Sequence, residues 1–264
     1  MPHPGTQRSI GLLLSGGLDS CILLGHLLDK GYFVQTIYVR SGLAWEADEQ
    51  EAVRRFLGEV AKGLPTADSK EGAGQLSPLL VLDQPCGDLY EQHWSLGAAP
   101  SPSAATPDEA VFLPGRNCLL TLKPLLWCAT HGIDRLALGV LQMNPFADAT
   151  SEFFANWTAA IARATGRGVT LERPFATLGK RQVMLRGRRL PLELTFSCIS
   201  PIGGMHCGRC NKCSERNAAF LLAELPDPTD YVYPDAVALN RRRSPMPEAA
   251  EATRAADPAE SPPS

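Results

Sequence analysis

The chain opens on an apolar run at 10–14, passes the turn-prone Ser15-Gly16-Gly17, and continues with apolar positions at helical spacing over 18–30, stopping at Gly31. That order predicts strand, loop, helix. A second apolar run at 33–39 and a charged segment at 46–60 with apolar positions every three or four residues extend it to β-α-β-α. Further strands are expected at 79–82, 135–141 and 169–171, and a helix at 119–130 that Gly132 ends. Such alternation predicts an α/β fold with a mostly parallel, Rossmann-like sheet covered by helices on both faces. Two polar stretches rich in Gly, Ser and Pro, 62–78 and 97–108, read as surface loops, the second placed to order over a ligand. Past residue 226 Pro, Ala, Glu and Arg take over, and 240–264 is expected to be a disordered tail. No internal repeat is visible.

Composition narrows the function classes. With 264 residues, 44% of them hydrophobic, the chain can bury one large core and a small appended lobe. A net charge of -3 supplies no global basic footprint, so nucleic acid is not an expected partner beyond a local patch. The N-terminus has no leader pattern, and no stretch approaches the roughly 20 apolar residues that span a bilayer. A cytoplasmic protein is expected, with no membrane partner. In that reducing compartment 8 cysteines point to metal or catalysis where they cluster, and to core packing where they do not.

The string SGGLDS, residues 15–20, sits where the first strand meets the first helix, the place where an α/β sheet binds anions. Gly16 and Gly17 let the backbone turn its N–H groups, from Leu14 to Leu18, toward phosphate oxygens. Ser15 and Ser20 add hydroxyls, and Asp19 is suited to hold magnesium. Lacking the Gly-Lys-Ser/Thr ending, the loop is not one that handles the γ-phosphate through a lysine. The bland alternative is a glycine turn with a helix cap at Asp19.

Near the other end, Cys198 is followed by Cys207, Cys210 and Cys213, two Cys-x-x-Cys steps sharing Cys210. Four thiolates so spaced suit a tetrahedral zinc with every position filled by protein, hence a structural one. An iron–sulfur cluster and a chance grouping of core cysteines are the rival readings, and His206 beside Cys207 is either a substitute ligand or, as such neighbours more often are, a supporting or surface residue.

SGGLDS resembles the SGGxDS loop of the PP-loop ATP-pyrophosphatases, which adenylate a carbonyl oxygen and release pyrophosphate. The cysteine string with Arg216 and Ala219-Phe220 behind it, the PGRN segment at 114–117 and Leu138-Gly139-Val140 are similar to those of the 7-cyano-7-deazaguanine synthases, and the likeness spans most of 10–220. It implies an adenine nucleotide alpha hydrolase-like ATP-binding domain at 8–190 and a zinc lobe at 191–225. It also implies an ATP-dependent carbon–nitrogen ligase, with a small-molecule carboxylate, ATP with magnesium and ammonia as reactants, and room for a homodimer. The carboxylate of 7-carboxy-7-deazaguanine would be adenylated, turned by ammonia to the amide, then activated by a second ATP and dehydrated to the nitrile. Arg116 and Asn117 would contact the nucleotide, a forked cation and an amide for phosphate or base edges. The turn reading of 114–117, with Asn117 capping the next helix, is compatible with that role.

Gly139, Asn144, Asp148 and Thr150 would line the substrate. Here the chain departs from the pattern: Gln142-Met143-Asn144-Pro145-Phe146-Ala147-Asp148 replaces the usual stretch ending in Pro-Asp-Cys-Arg, and 40–46 lacks the usual Asp-Tyr-Gly-Gln. Lys180 and Arg181 either face the phosphates or are solvated, and Asp83, Asp88, His93 and Trp94 either wall the site or lie in a loop. Other functions compete, the first being activation of a different carboxylate by the same PP-loop chemistry. Thiolation of a nucleotide or tRNA would draw on Cys21, Cys86, Cys118 and Cys128, which read better as core residues. An ATP-binding zinc protein without turnover would keep the loop as a sensor.

Overall fold

The structure is a computed structural model that describes residues 8–63, 74–142 and 146–236, without the side chain of Asp108. The tail at 240–264 and Asn144 lie outside the described residues. Among the described residues six strands, β1 (Ser9–Leu13), β2 (Phe33–Arg40), β3 (Gln75–Leu76), β4 (Leu80–Asp83), β5 (Arg135–Ala137) and β6 (Thr170–Glu172), form one sheet in the order β3-β2-β1-β5-β6, with β4 also on β2. Every pairing is parallel.

The strand expected at 79–82 proves to be the second half of a broken edge. β3 pairs with the start of β2, Phe33 opposite Gln75, and β4 with its end, Ile37 opposite Leu80. Pro78 stands in the gap, where it has no N–H to give the ladder. Part of the expected loop at 62–78 is therefore strand.

Among the described residues the α-helices are α1 (Leu18–Asp29), α2 (Glu46–Ala61), the single turn α3 (Gly87–Tyr90), α4 (Arg116–His131) and α5 (Ser151–Thr165), with α6 (Lys180–Arg186) and α7 (Asn211–Leu222) following the last strand. They cover both faces. On one, Leu23 and Leu24 of α1, Phe56 of α2, Met184 of α6 and Phe220 of α7 pack on Ile10 and Leu12. On the other, Leu125 of α4 and Phe154 and Ile161 of α5 pack on Leu136. Each fully buried side chain of this kind contributes about 1.5–3 kcal/mol, and the alternation of β1 between the two faces is what divides the core into two layers.

From β1 the chain builds outward through β2, β3 and β4, then returns to lay β5 on the opposite side of β1. The carboxyl end of β1 is the switch point of the sheet, where open α/β sheets form their ligand crevice. Residues 14–17 leave the sheet there.

Candidate active site

At the switch point Gly16 takes φ +81°, a left-handed conformation that favours glycine. A Cβ there would lie 2.8 Å from Val53 Cγ2, so α2 closes on the loop only because no side chain intervenes. Gly17 is extended and begins α1 without a side-chain cap, which leaves the first N–H groups of the helix for a ligand. Ser15 Oγ and Ser20 Oγ lie 3.3 Å apart, and Ser20 Oγ donates to Gly17 O at 3.1 Å. Gly139 approaches from the end of β5: a Cβ on it would stand 3.1 Å from the backbone of Asp19 and Ser20. The loop is thus walled by α2 on one side and by the 138–140 segment on the other.

Asp19 is held from across the chain. Lys180, first residue of α6, places Nζ 2.9 Å from both carboxylate oxygens of Asp19 and 3.9 Å from Glu215 of α7. Burial opposes the Lys180 charge, but the two carboxylates outweigh it and raise the proton affinity of the amine. Arg216, 2% exposed, donates to Thr195 Oγ1 and Thr229 Oγ1 at 2.7 Å and to Leu192 O at 2.9 Å, so its charge is neutralised by dipoles instead of ion pairs. Of the Lys-Arg pair read from the sequence, Lys180 faces the loop and Arg181 stays exposed beside Glu224.

The PGRN segment turns at Gly115 (φ +72°) and starts α4. Asn117 is not the cap. Its N–H donates to Asp148 Oδ2 at 3.0 Å and its amide to Asp148 Oδ1 at 3.2 Å, so Asp148 caps α4 from 31 residues away. Thr150 likewise accepts the Phe153 N–H at 3.1 Å and caps α5. Arg116 keeps a buried Nε with no partner among the described residues, a donor that a nucleotide or substrate oxygen would satisfy.

At the end of the 83–94 segment Trp94 stacks on Trp45, and His93 lies tilted against Tyr90 and Trp94. Trp45 lies 5.7 Å from Trp94 at 13°, His93 accepts the Ser95 N–H, and Asp83 pairs with Arg40 at 2.5 Å. Beside it sits a group that the sequence pattern concealed. Glu49, on the first turns of α2, accepts the Tyr38 hydroxyl at 2.6 Å. Burial pushes its carboxyl up to about 7, against the lowering effect of Tyr38 and Arg116. In sequence it is one of several acids on an amphipathic helix, and only its nearness to Tyr38 sets it apart.

Cys198, Cys207, Cys210 and Cys213 are all buried, with their sulfurs within 4.8 Å of one another. The Cys198–Cys210 and Cys207–Cys213 sulfur distances are both 3.9 Å. A tetrahedral zinc with Zn–S bonds near 2.3 Å sets its sulfurs about 3.8 Å apart, so the four ligands fit the ion. Backbone N–H groups of Cys207 and Arg209 donate to Cys198 and Cys207 sulfur at 3.3 Å, as anionic thiolates require. His206 points elsewhere, its Nε2 accepting the Ser197 N–H at 3.1 Å. The other four cysteines are separate; burial raises the thiols of Cys21, Cys86 and Cys118 and pushes Cys128 up to about 12, which suits core residues rather than sulfur carriers.

The loop and the cysteine cluster are physically joined: Phe196 N–H donates to Gly16 O at 2.8 Å, two residues before Cys198. Both features fall within residues 9–224, which match the family model described as Queuosine biosynthesis protein QueC. The chain belongs to the QueC family. It is 30% identical to the 7-cyano-7-deazaguanine synthase of Stutzerimonas stutzeri over 235 residues, 85% of this chain and 99% of that one. It is also 30% identical to 7-cyano-7-deazaguanine synthase 1 of Desulfitobacterium hafniense over 226 residues, 83% of this chain and 94% of that one. A solved 4-thiouridine synthetase–RNA complex with bound ATP overlaps 89% of this chain and 53% of that one at 17% identity and a TM-score of 0.42, too loose an overlap to carry an argument. Membership in the QueC family agrees with the resemblance read from SGGLDS, PGRN and the cysteine string.

Proposed function

We propose that this QueC-family protein is an ATP-dependent synthase that converts 7-carboxy-7-deazaguanine and ammonia to 7-cyano-7-deazaguanine in the cytoplasm, for queuosine biosynthesis. The observation that carries the reading is the Lys180–Asp19 pair at a loop with uncapped helix N–H groups. A cation and a carboxylate there are suited to an incoming polyphosphate and its magnesium. Backbone N–H groups of 14–18 with the Ser15 and Ser20 hydroxyls bind the pyrophosphate oxygens, Asp19 holds the metal, and Lys180 passes from Asp19 to the phosphate charge as it arrives. Arg116 and Asn117, at the start of α4, address the nucleotide, the free Nε of Arg116 being the donor left for it. Gly139, Asp148 and Thr150 surround the carboxylate end as backbone and as caps that fix the entry of α4 and α5.

Residues 8–190 act as the ATP-binding unit and 191–225 as a lobe pinned by zinc on the four cysteines. Zinc bound there supplies fold stability only, because four protein thiolates leave no position for substrate. Turnover demands no side-chain nucleophile: the protein aligns the carboxylate with the α-phosphate and keeps water from the acyl-adenylate. The test is AMP and pyrophosphate release by the zinc-loaded protein with ATP, magnesium and ammonia, with and without 7-carboxy-7-deazaguanine, and mass analysis of the product. Substrate-dependent AMP with a nitrile product is expected. ATP binding without turnover would move the substrate to another carboxylate.

A further inference from the structure

Ammonia carries three N–H bonds and the nitrile none, so the proposed reaction must dispose of three protons. When ammonia attacks the acyl-adenylate, a C–N bond forms, the C–O bond to AMP breaks and one N–H proton leaves. After the amide oxygen has displaced pyrophosphate from a second ATP, expulsion of AMP to give the nitrile releases the other two. The loop, Lys180 and the start of α4 are rich in donors, and most carboxylates around them are already committed. Asp19 is paired with Lys180, Glu215 with Lys180 and Lys212, Asp148 with Asn117, and Glu46 accepts the N–H groups of Ser41 and Gly42.

Glu49 is set apart by its place. Like Glu46 and Asp148 it accepts from neutral donors, here the Tyr38 hydroxyl and the Trp45 indole, and it closes no ion pair among the described residues. It lies against the phosphate loop: a Cβ on Gly16 would stand 3.7 Å from Glu49 Cγ. The charged and titratable groups facing it are Tyr38 from β2, Glu46 from α2, Arg116 from α4 and Cys21 from α1. Arg116 favours its charge, whereas Glu46 disfavours it. We propose that Glu49 is the proton acceptor of the amide- and nitrile-forming steps, its carboxylate taking each N–H proton and releasing it to solvent between steps. This proposal rests on the function proposed above. Burial supports it by bringing the carboxyl to about 7, where it both accepts and releases protons near neutral pH.

The experiment separates adenylation from proton removal. ATP–pyrophosphate exchange dependent on 7-carboxy-7-deazaguanine reports the first step, and ammonia-dependent amide and nitrile formation the rest. In Glu49→Gln, which keeps an acceptor for Tyr38, exchange is expected within about threefold of the unaltered protein while amide formation falls about 10²–10⁴-fold, the usual worth of a general base. Tyr38→Phe removes a bond that favours the carboxylate, so the rising limb of the rate–pH profile should move to higher pH. Equal losses in both assays, or no loss in either, would overturn the role. If Glu49→Gln does not bind zinc and fold, the limb in Tyr38→Phe decides: an unmoved limb removes Glu49 from the proton path. Failure of the unaltered protein to turn over this substrate would overturn the function proposed above, and this role with it.

Discussion

Lys180 Nζ sits 2.9 Å from each carboxylate oxygen of Asp19, although 161 residues separate the two in the chain. The pair spans α6 and α1 and places a cation at the 15–20 loop.

Lys180→Ala should therefore cost about 10²–10³ in kcat, as removal of one donor to a developing anion usually does, and leave zinc content unchanged. Lys180→Arg should recover part of it. Steady-state rates beside metal analysis decide this, and a loss confined to stability would argue against contact with phosphate.

Gly16→Ala places a side chain on a backbone at φ +81° and against Val53. A destabilisation of about 1–3 kcal/mol is expected, with ATP binding weakened more than the folding midpoint suggests, because the same turn aims the loop N–H groups. Urea unfolding and ATP titration on one sample check both.

Folding should depend on the metal. For an ion that binds only the folded cluster, stability rises with free zinc, by about 2.7 kcal/mol at a hundredfold excess over Kd. Chelation or Cys210→Ser should abolish that dependence. A urea midpoint that ignores zinc would leave the four cysteines as mere packing.

His26 packs tilted against Phe175, 5.6 Å between rings, and burial first, then Lys30 and Arg186, lowers its proton affinity in the folded state. Unfolding restores the ordinary value of 6.5, so the unfolded chain binds the proton more readily. Stability should fall as pH drops through 6.5 toward the lower folded value. His26→Gln should flatten the decline, read as urea midpoints across that range.

Features written within a few consecutive residues were legible in the sequence: SGGLDS, the turn at Gly115, the double Cys-x-x-Cys and the helix beginning at Leu18. They depend on local backbone geometry or ligand spacing, which short strings encode. The long-range pairings were not. β3 is two residues beside a proline, too short for a period to show, and exists because β2 offers it an edge. Asp148 looked like a free substrate contact because nothing near it in sequence says that it caps a helix begun at residue 116. Glu49 was hidden among the acids of α2 until β2 brought Tyr38 to it.

The bond from Phe196 N–H to Gly16 O, with Lys180 on Asp19, means that the 15–20 loop is tied down only by segments made much later. A nascent chain carries SGGLDS well before it has the strap or the lysine, so half-made copies lack both ties on the loop.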